Sequence, residues 1–375
     1  MVLPMPVLPS ARRSALRRRL LAWWDAGHRE LPWRFPTGEA DPYRVWISEV
    51  MLQQTQVAAV VPYYLRFLER FPTLEALAEA SEDEVLARWS GLGYYARGRR
   101  LRAAAREMLA RHGGVPRSRE ALAALPGFGP YTAGAVASIA FGLEEPCVDG
   151  NVARVLARLG CVEGAPEAPA TRARLWALAA ELVRGPRPGE LNQALMDLGA
   201  TVCGKAAPRC ARCPVAPCCA ARARGREREL PPARARRAPR RLEVACAVVV
   251  QGGRLLLERR PPGGLFGGLW ELPGAEVAPG ATAPAALAEA LALRGLRVRV
   301  GKELARVERV LTHRRLALTA FRGSVARLPP PGGQLRLAAP EELPALALSA
   351  ATRALVEALP ASGRPAARRR IREEE

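Results

Sequence analysis

The sequence predicts a multidomain chain: an all-α N-terminal domain ending in a four-cysteine loop, followed by an α+β domain. Three observations predict it. Through the first two hundred of 375 residues, apolar positions recur at helical spacing with no competing alternation. Four cysteines then crowd into positions 203–219. Beyond an Arg- and Pro-rich stretch the pattern switches to short apolar runs bounded by glycines, the mark of strands.

The elements follow in order. Ser81-Glu82-Asp83-Glu84 is a capping box, in which serine and Glu84 each satisfy an amide at a helix start. A long helical pattern over 99–110 is stopped by His112-Gly113-Gly114. Leu125-Pro126-Gly127-Phe128-Gly129-Pro130 separates helices expected over 118–124 and 131–141. Pro126 ends the first, the glycines permit close backbone approach, and Pro130 suits the first turn of the second. Amides at such a turn point toward an anion, so the motif reads as a hairpin gripping a phosphate, or as a plain corner between helices. Asn151 reads as the N-cap of a helix burying Val152, Val155, Leu156 and Leu159. Residues 221–241, with nine Arg and three Pro, read as a linker. A strand over 243–251, a turn at Gly252-Gly253 and a strand over 254–259 come next. A helix over 285–293 and strands over 296–300 and 316–321 complete the α+β part, and the tail from 362 reads as disordered.

Charge narrows the partners. Lys+Arg 57 against Asp+Glu 36 leaves +21, a field that attracts polyanions, nucleic acid first among them. Lysine occurs only at Lys205 and Lys302, so part of the Arg bias is compositional; the net excess is not. No apolar run approaches the length of a membrane span. The Pro-broken start precedes its arginines, the reverse of a secretory signal. A cytoplasmic protein with reduced thiols is therefore expected.

Cys203, Cys210, Cys213 and Cys219, spaced C-x6-C-x2-C-x5-C, can converge on one metal centre. The uneven spacing and lack of a nearby histidine favour an iron–sulfur cluster; zinc is the chemical competitor. Cys218 is an adjacent substitute ligand, whereas Cys147, Cys161 and Cys246 read as packing residues. Among the carboxylates, Glu49 sits in an apolar helix, where burial is costly unless it serves a purpose; the alternative is an exposed face. Asp149, in Val148-Asp149-Gly150-Asn151, can project into a cleft or merely cap the next helix.

At this point several motifs resemble one family. Leu31-Pro32-Trp33-Arg34, the run Trp46 to Val57 with Glu49 and Gln53-Gln54, and Gly91-Leu92-Gly93-Tyr94-Tyr95-Ala96-Arg97 are similar to MutY-type adenine DNA glycosylases. So are the hairpin, Val148-Asp149-Gly150-Asn151-Val152 and Asn192-Gln193-Ala194-Leu195-Met196-Asp197. The resemblance spans roughly 12–219 and continues more weakly over 242–358. It implies a helix–hairpin–helix glycosylase domain over 10–219 with a 4Fe–4S loop at 203–219, a linker over 220–241, a Nudix-like domain over 242–358 and a tail over 359–375.

The implied activity is removal of adenine opposite 8-oxoguanine or guanine in duplex DNA by a monomeric, nucleoid-associated bacterial enzyme. By that resemblance Glu49 protonates the departing base and Asp149 stabilises the cationic sugar. Gln54 fills the gap left by the flipped base. Tyr94, with Leu92 in its motif, lies beside the lesion. Trp33, Arg34 and Gln193 surround the adenine, and Gly127 and Gly129 carry the phosphate grip, with a monovalent cation there in the family. An extruded base needs such a wedge, and a poor leaving group needs an acid.

Residues 1–204 hold no lysine, and Tyr131 stands where bifunctional relatives place their catalytic one. A monofunctional enzyme follows, against an endonuclease III-like lyase or a non-catalytic DNA-binding module. Gly267-Gly268-Leu269-Trp270-Glu271-Leu272-Pro273-Gly274 looks like the opening of a Nudix fold, but the helix after it offers only Glu289, so pyrophosphohydrolase chemistry is not expected. Thr312-His313 aligns with the family's lesion-reading loop, where Leu311 departs from its phenylalanine; a surface histidine is the alternative.

Overall fold

A computed structural model describes residues 8–35, 39–232, 239–311, 314–328, 334–360 and 363. The chain forms two units, Met1–Glu79 with Arg100–Ala235, and Ala80–Arg99 with Arg236–Glu375. Among the described residues no helix is long and apolar enough to cross a membrane.

The first two thirds are helical: α1 (Ser10–Asp25), α2 (Pro42–Leu52), α3 (Val57–Arg70), α4 (Leu74–Glu79), α5 (Glu82–Trp89), α6 (Ala96–His112), α7 (Arg119–Ala123), α8 (Pro130–Phe141), α9 (Gly150–Leu159), α10 (Pro169–Val183), α11 (Pro188–Asp197) and the short α12 (Ala220–Ala223). The capping box at Ser81 and Glu84 starts α5 as expected. The hairpin lies between α7 and α8, with Pro130 opening α8. One core of the first unit joins Leu16 and Leu20 of α1, Val152, Val155, Leu156 and Leu159 of α9, Leu178 of α10 and Leu195 of α11. Their three- and four-residue spacing is the amphipathic stripe that burial selects.

One crossing positions the site. A Cβ on Gly134 of α8 would lie 2.0 Å from the Pro146 carbonyl oxygen. Glycine there lets the 146–149 segment run against the face of α8 that also carries Tyr131, three residues earlier.

In the second unit β1 (Arg240–Val248), β2 (Val250–Gln251), β3 (Arg254–Arg259), β4 (Trp270–Glu271), β5 (Gly274–Glu276), α13 (Ala283–Leu293), β6 (Arg299–Leu311), β7 (Arg314–Ser324), β8 (Leu335–Ala338) and α14 (Ala350–Glu357) follow. One sheet has order β5-β1-β7-β6, with β1 parallel to β7 and the other pairs antiparallel. A second joins β2, β3 and β4, with β8 on β3. Side chains alternate across β1: Leu242, Cys246 and Val248 face Leu355 of α14, while Ala245 and Ala247 face Leu287 and Leu291 of α13.

Four local expectations change. The cap of α9 is Asp149, not Asn151: the Asp149 carboxylate accepts from the Val152 amide at 2.7 Å, and Asn151 instead donates to Asp149. The expected linker packs at its start, because Leu230 is buried with Cys161 and Ala221, and Arg226 pairs with Glu163 and Glu229. At its end, Arg240 and Arg241 already pair with Arg314 and Arg315. The strand expected over 243–251 is two strands, β1 and β2. The strand expected over 296–300 starts at Arg299 and runs for 13 residues. As a sheet edge with an exposed face, β6 tolerates polar residues on which an apolar-run criterion fails. Residues 364–375 of the tail lie outside the described residues.

Gly134→Ala should cost about 3 kcal/mol or more, because the carbonyl it strikes is backbone and cannot rotate away. Chemical denaturation of the variant beside the parent chain measures it; an unchanged midpoint would show that α8 and 146–149 do not meet as described.

Candidate active site

The site begins with α2. Asp41 caps it, accepting from the Tyr43 and Arg44 amides, and Pro42 occupies the first turn. Tyr43, Trp46, Ile47 and Met51 are buried, and so is Glu49, only 5% exposed. The exposed-face alternative is therefore excluded.

Tyr131, in the first turn of α8, donates its hydroxyl to Glu49 Oε2 at 2.6 Å. Burial pushes the Glu49 carboxyl up from 4.5 to about 7; nearby Asp149 adds to the rise, while the Tyr131 hydrogen bond and Arg34 oppose it. Burial likewise raises Asp149, against bonds from the Val152 amide and from Asn151 that favour its ionised form. The pair thus has different surroundings: one acid poised to hold a proton near neutrality, the other also raised by burial but cradled by hydrogen-bond donors.

Glu49, Tyr131 and Asp149 line one cleft of about 940 Å³, a hundred residues of sequence closed into a single cavity. Gln54, Gly127 and Gly129 line it too. Gln54 is exposed and left-handed, with φ +59°, which a non-glycine residue adopts at a cost. Gly127, at φ +82°, packs on Arg100, whose Cβ would lie 2.8 Å from an added Cβ.

Other carried-over residues stand elsewhere. Trp33 is buried with its ring edge-on to Tyr64 at 5.2 Å, and is not among the residues lining the cleft. Arg34 is bidentate on Asp197 at 2.8 and 2.9 Å and lies over the Trp24 ring. Gln193 is half-buried, again off the lining. In the second unit Leu92 is buried and Tyr94 is 43% exposed. Thr312 and His313 lie outside the described residues.

Cys203, Cys210, Cys213 and Cys219 surround a small cavity walled by Val155, Leu159, Leu198, Val202 and Val215. Cys218 is not part of that lining; its carbonyl accepts from Arg12. None of the eight cysteines is in a disulfide.

Two arginines of α9 escaped the sequence reading. Arg154 donates to Asn151 Oδ1 and, at 2.9 Å, to the Cys203 carbonyl, so hydrogen bonds run from Asp149 to the cysteine loop. Arg158, fully buried, donates to Cys203 Sγ at 3.2 Å and to the carbonyls of Gly204, Lys205 and Leu230. Asp197, 1% exposed and held by Arg29 and Arg34, was also unassigned, although a buried aspartate in an apolar run was a usable signal.

With this geometry in place, comparisons with known proteins are decisive. The description "HhH-GPD superfamily base excision DNA repair protein" matches residues 47–181, and a NUDIX domain matches 244–358. An adenine DNA glycosylase of Mycobacterium tuberculosis is 42% identical over 218 residues, covering 57% of this chain and 70% of that protein. The chain belongs to the adenine DNA glycosylase family. The adenine DNA glycosylase of Rattus norvegicus is 43% identical over 316 residues, covering 71% of this chain. The matched region is 61% of that relative's length. Among solved structures, a thermostable thymine-DNA glycosylase superposes with a TM-score of 0.51 at 32% identity, covering 57% of this chain and 98% of that one. The helical fold is thus that of helix–hairpin–helix glycosylases.

A carboxyl raised by folding binds its proton more tightly in the native than in the unfolded state. Between 4.5 and about 7 the folded chain holds the extra proton, so stability falls as pH rises through that window, by about 3 kcal/mol in all. Glu49→Gln removes the titration. Its stability gain over the parent should be small at pH 4.5 and grow to pH 8 in denaturation curves; a gain independent of pH would contradict a raised Glu49.

Proposed function

We propose that this chain is a monofunctional DNA glycosylase that hydrolyses the bond between adenine and deoxyribose where adenine lies opposite 8-oxoguanine or guanine, initiating base excision repair. The observation that carries the reading is the cleft shared by Glu49 and Asp149, with Glu49 raised to about 7 by burial.

The extruded adenine enters that cleft, and the exposed Gln54 at its rim fills the space the base leaves. Glu49, its proton retained by desolvation, transfers it to a ring nitrogen of adenine as the C1′–N9 bond breaks and its electron pair moves into the base. The Asp149 carboxylate faces the positive charge that develops on the sugar. Water adds at C1′, and the proton it gives up restores Glu49. Tyr131 supplies no amine, and among the described residues lining the cleft there is no lysine to form a Schiff base with the sugar. The hairpin turn at Gly127 and Gly129 offers backbone groups to a DNA phosphate, with the monovalent cation that the resemblance implies there.

The cysteine loop fits a 4Fe–4S cluster. Cys203, Cys210, Cys213 and Cys219 line one small cavity, which supports reading the loop as the seat of the cluster that the resemblance implies, although among the described residues no three Cys, His, Asp or Glu side chains form a group that could hold a metal ion. Cys203, Cys210, Cys213 and Cys219 would hold the cluster, which would cross-link the loop to itself and supply a fixed local charge. Apolar walls and the Arg158 bond to Cys203 suit such a group. The second unit is read as the part that discriminates the opposite base, with Thr312 and His313 as its contacts. Exposed Glu289 is the sole acid on α13, which leaves no carboxylate cluster there for pyrophosphate chemistry.

Single-turnover cleavage of duplexes with adenine opposite 8-oxoguanine, guanine or cytosine tests the activity. Excision should be fastest opposite 8-oxoguanine and fall as pH rises above about 7, as Glu49 loses its proton. Glu49→Gln should lose about 10²–10⁴-fold in rate while still binding the duplex. Retained excision in that variant would remove the assigned acid. Cys210→Ala should lower iron bound to the purified chain from about four atoms, whereas Cys218→Ala should not; equal loss in both would reassign the ligands.

A further inference from the structure

The second unit contains a segment from the middle of the helical sequence, Ala80–Arg99, and that segment carries Tyr94. Its turn is an improbable conformation to hold unaided. Gly91 has φ +104°, Gly93 +73° and Tyr94 itself +49°, a left-handed tyrosine with its ring 43% exposed. Two glycines just before an exposed aromatic residue would leave the ring many orientations unless the backbone were fixed from outside.

It is fixed at both ends. On the N-terminal side, Ser90 donates its hydroxyl to the Leu348 carbonyl at 2.6 Å and accepts from Arg353 Nε at 3.2 Å. Arg353 belongs to α14 and also donates to the carbonyls of Leu343, Pro344 and Leu346. One guanidinium therefore fastens the turn to α14 and to the chain that leads into it. On the C-terminal side, buried Tyr95 accepts the Gly91 amide through its hydroxyl and sets its ring edge-on to Phe266. Arg99 donates to the Gly267 carbonyl, and Asp83 accepts from Arg259 at 2.6 Å. Within the turn, Trp89 Nε1 and Arg97 hold the Gly93 carbonyl, and the Arg97 guanidinium lies 5.3 Å from the Tyr94 ring centre.

We infer that Arg353, through Ser90, is a positioning residue for Tyr94: α14 sets the orientation in which the exposed ring is offered to a DNA base. This deepens the proposed function and rests on it. The small domain would then contribute to recognition through an aromatic residue that lies far from it in sequence. An aromatic ring stacked on a base tightens binding by about 5- to 150-fold, and a ring freed to rotate loses part of that to ordering.

The test is a double-mutant cycle on the full chain, read as Kd for a duplex with 8-oxoguanine opposite a hydrolysis-resistant 2′-fluoro-2′-deoxyadenosine. Arg353→Ala should weaken binding about tenfold where Tyr94 is present, and less than about twofold in a Tyr94→Ala background. Ser90→Ala should show the same pattern at smaller size. If Arg353→Ala does not fold, Ser90→Ala carries the cycle, with melting temperatures as the check on structure. Equal factors in both backgrounds, or no change in either, would overturn the inference. A parent chain that binds and excises while the cycle is additive would leave the function standing and remove only this role. A parent that does not prefer the lesion duplex over a matched one would remove both.

Discussion

Placing an ionisable carboxyl almost wholly out of solvent at the wall of a cleft is the constraint on which this site depends. Glu49 is surrounded by the apolar faces of α2 and α8, and its one strong partner is a neutral hydroxyl, Tyr131. A full cationic partner would have held it ionised and useless as an acid near neutrality. Arg34 is close enough to act on Glu49 electrostatically, yet its guanidinium is committed to Asp197. Asp197 thus takes the guanidinium groups, while burial dominates the surroundings of Glu49.

Bringing the second acid to the first demands an unusually close backbone crossing. The 146–149 segment meets α8 at Gly134, and Asp149 then ends that segment as the cap of α9. Capping a helix and lining the cleft are therefore compatible in this one residue. The amide that starts the helix also orients the carboxylate, and Asn151 completes the cradle. From there Arg154 and Arg158 tie α9 to the cysteine loop, so the helix bearing Asp149 is anchored at the first turn and again further along its length. A group bound by those cysteines would stiffen a framework already assembled by half-buried Arg154 and buried Arg158.

The two units divide by contact and not by sequence order. Ala80–Arg99 lies between helices of the first unit in the chain but packs with the second. Ion pairs from Arg259 and hydrogen bonds from Arg353 and Arg99 account for that allegiance. A reading by composition has no means to see it, because the segment carries helical patterns like those of its neighbours and no linker-like stretch sets it apart.

Local chemistry by itself determined a good deal. The helical periodicity, the Pro-bounded hairpin, the capping box at Ser81, the spacing of four cysteines and the absence of lysine before Lys205 are all properties of adjacent residues, and each stands in the folded chain. Where an edge strand, β6, tolerated polar residues, or a basic stretch after Cys219 found partners in Glu163 and Arg158, the local signal misled. Only the tertiary structure decided that Glu49 is buried, that Tyr131 reaches it, that Asp149 shares its cleft and that Cys219, not Cys218, faces the cysteine cavity. Desolvation and pairing depend on what the rest of the chain brings to a residue, and that is fixed by packing between segments up to a hundred positions apart.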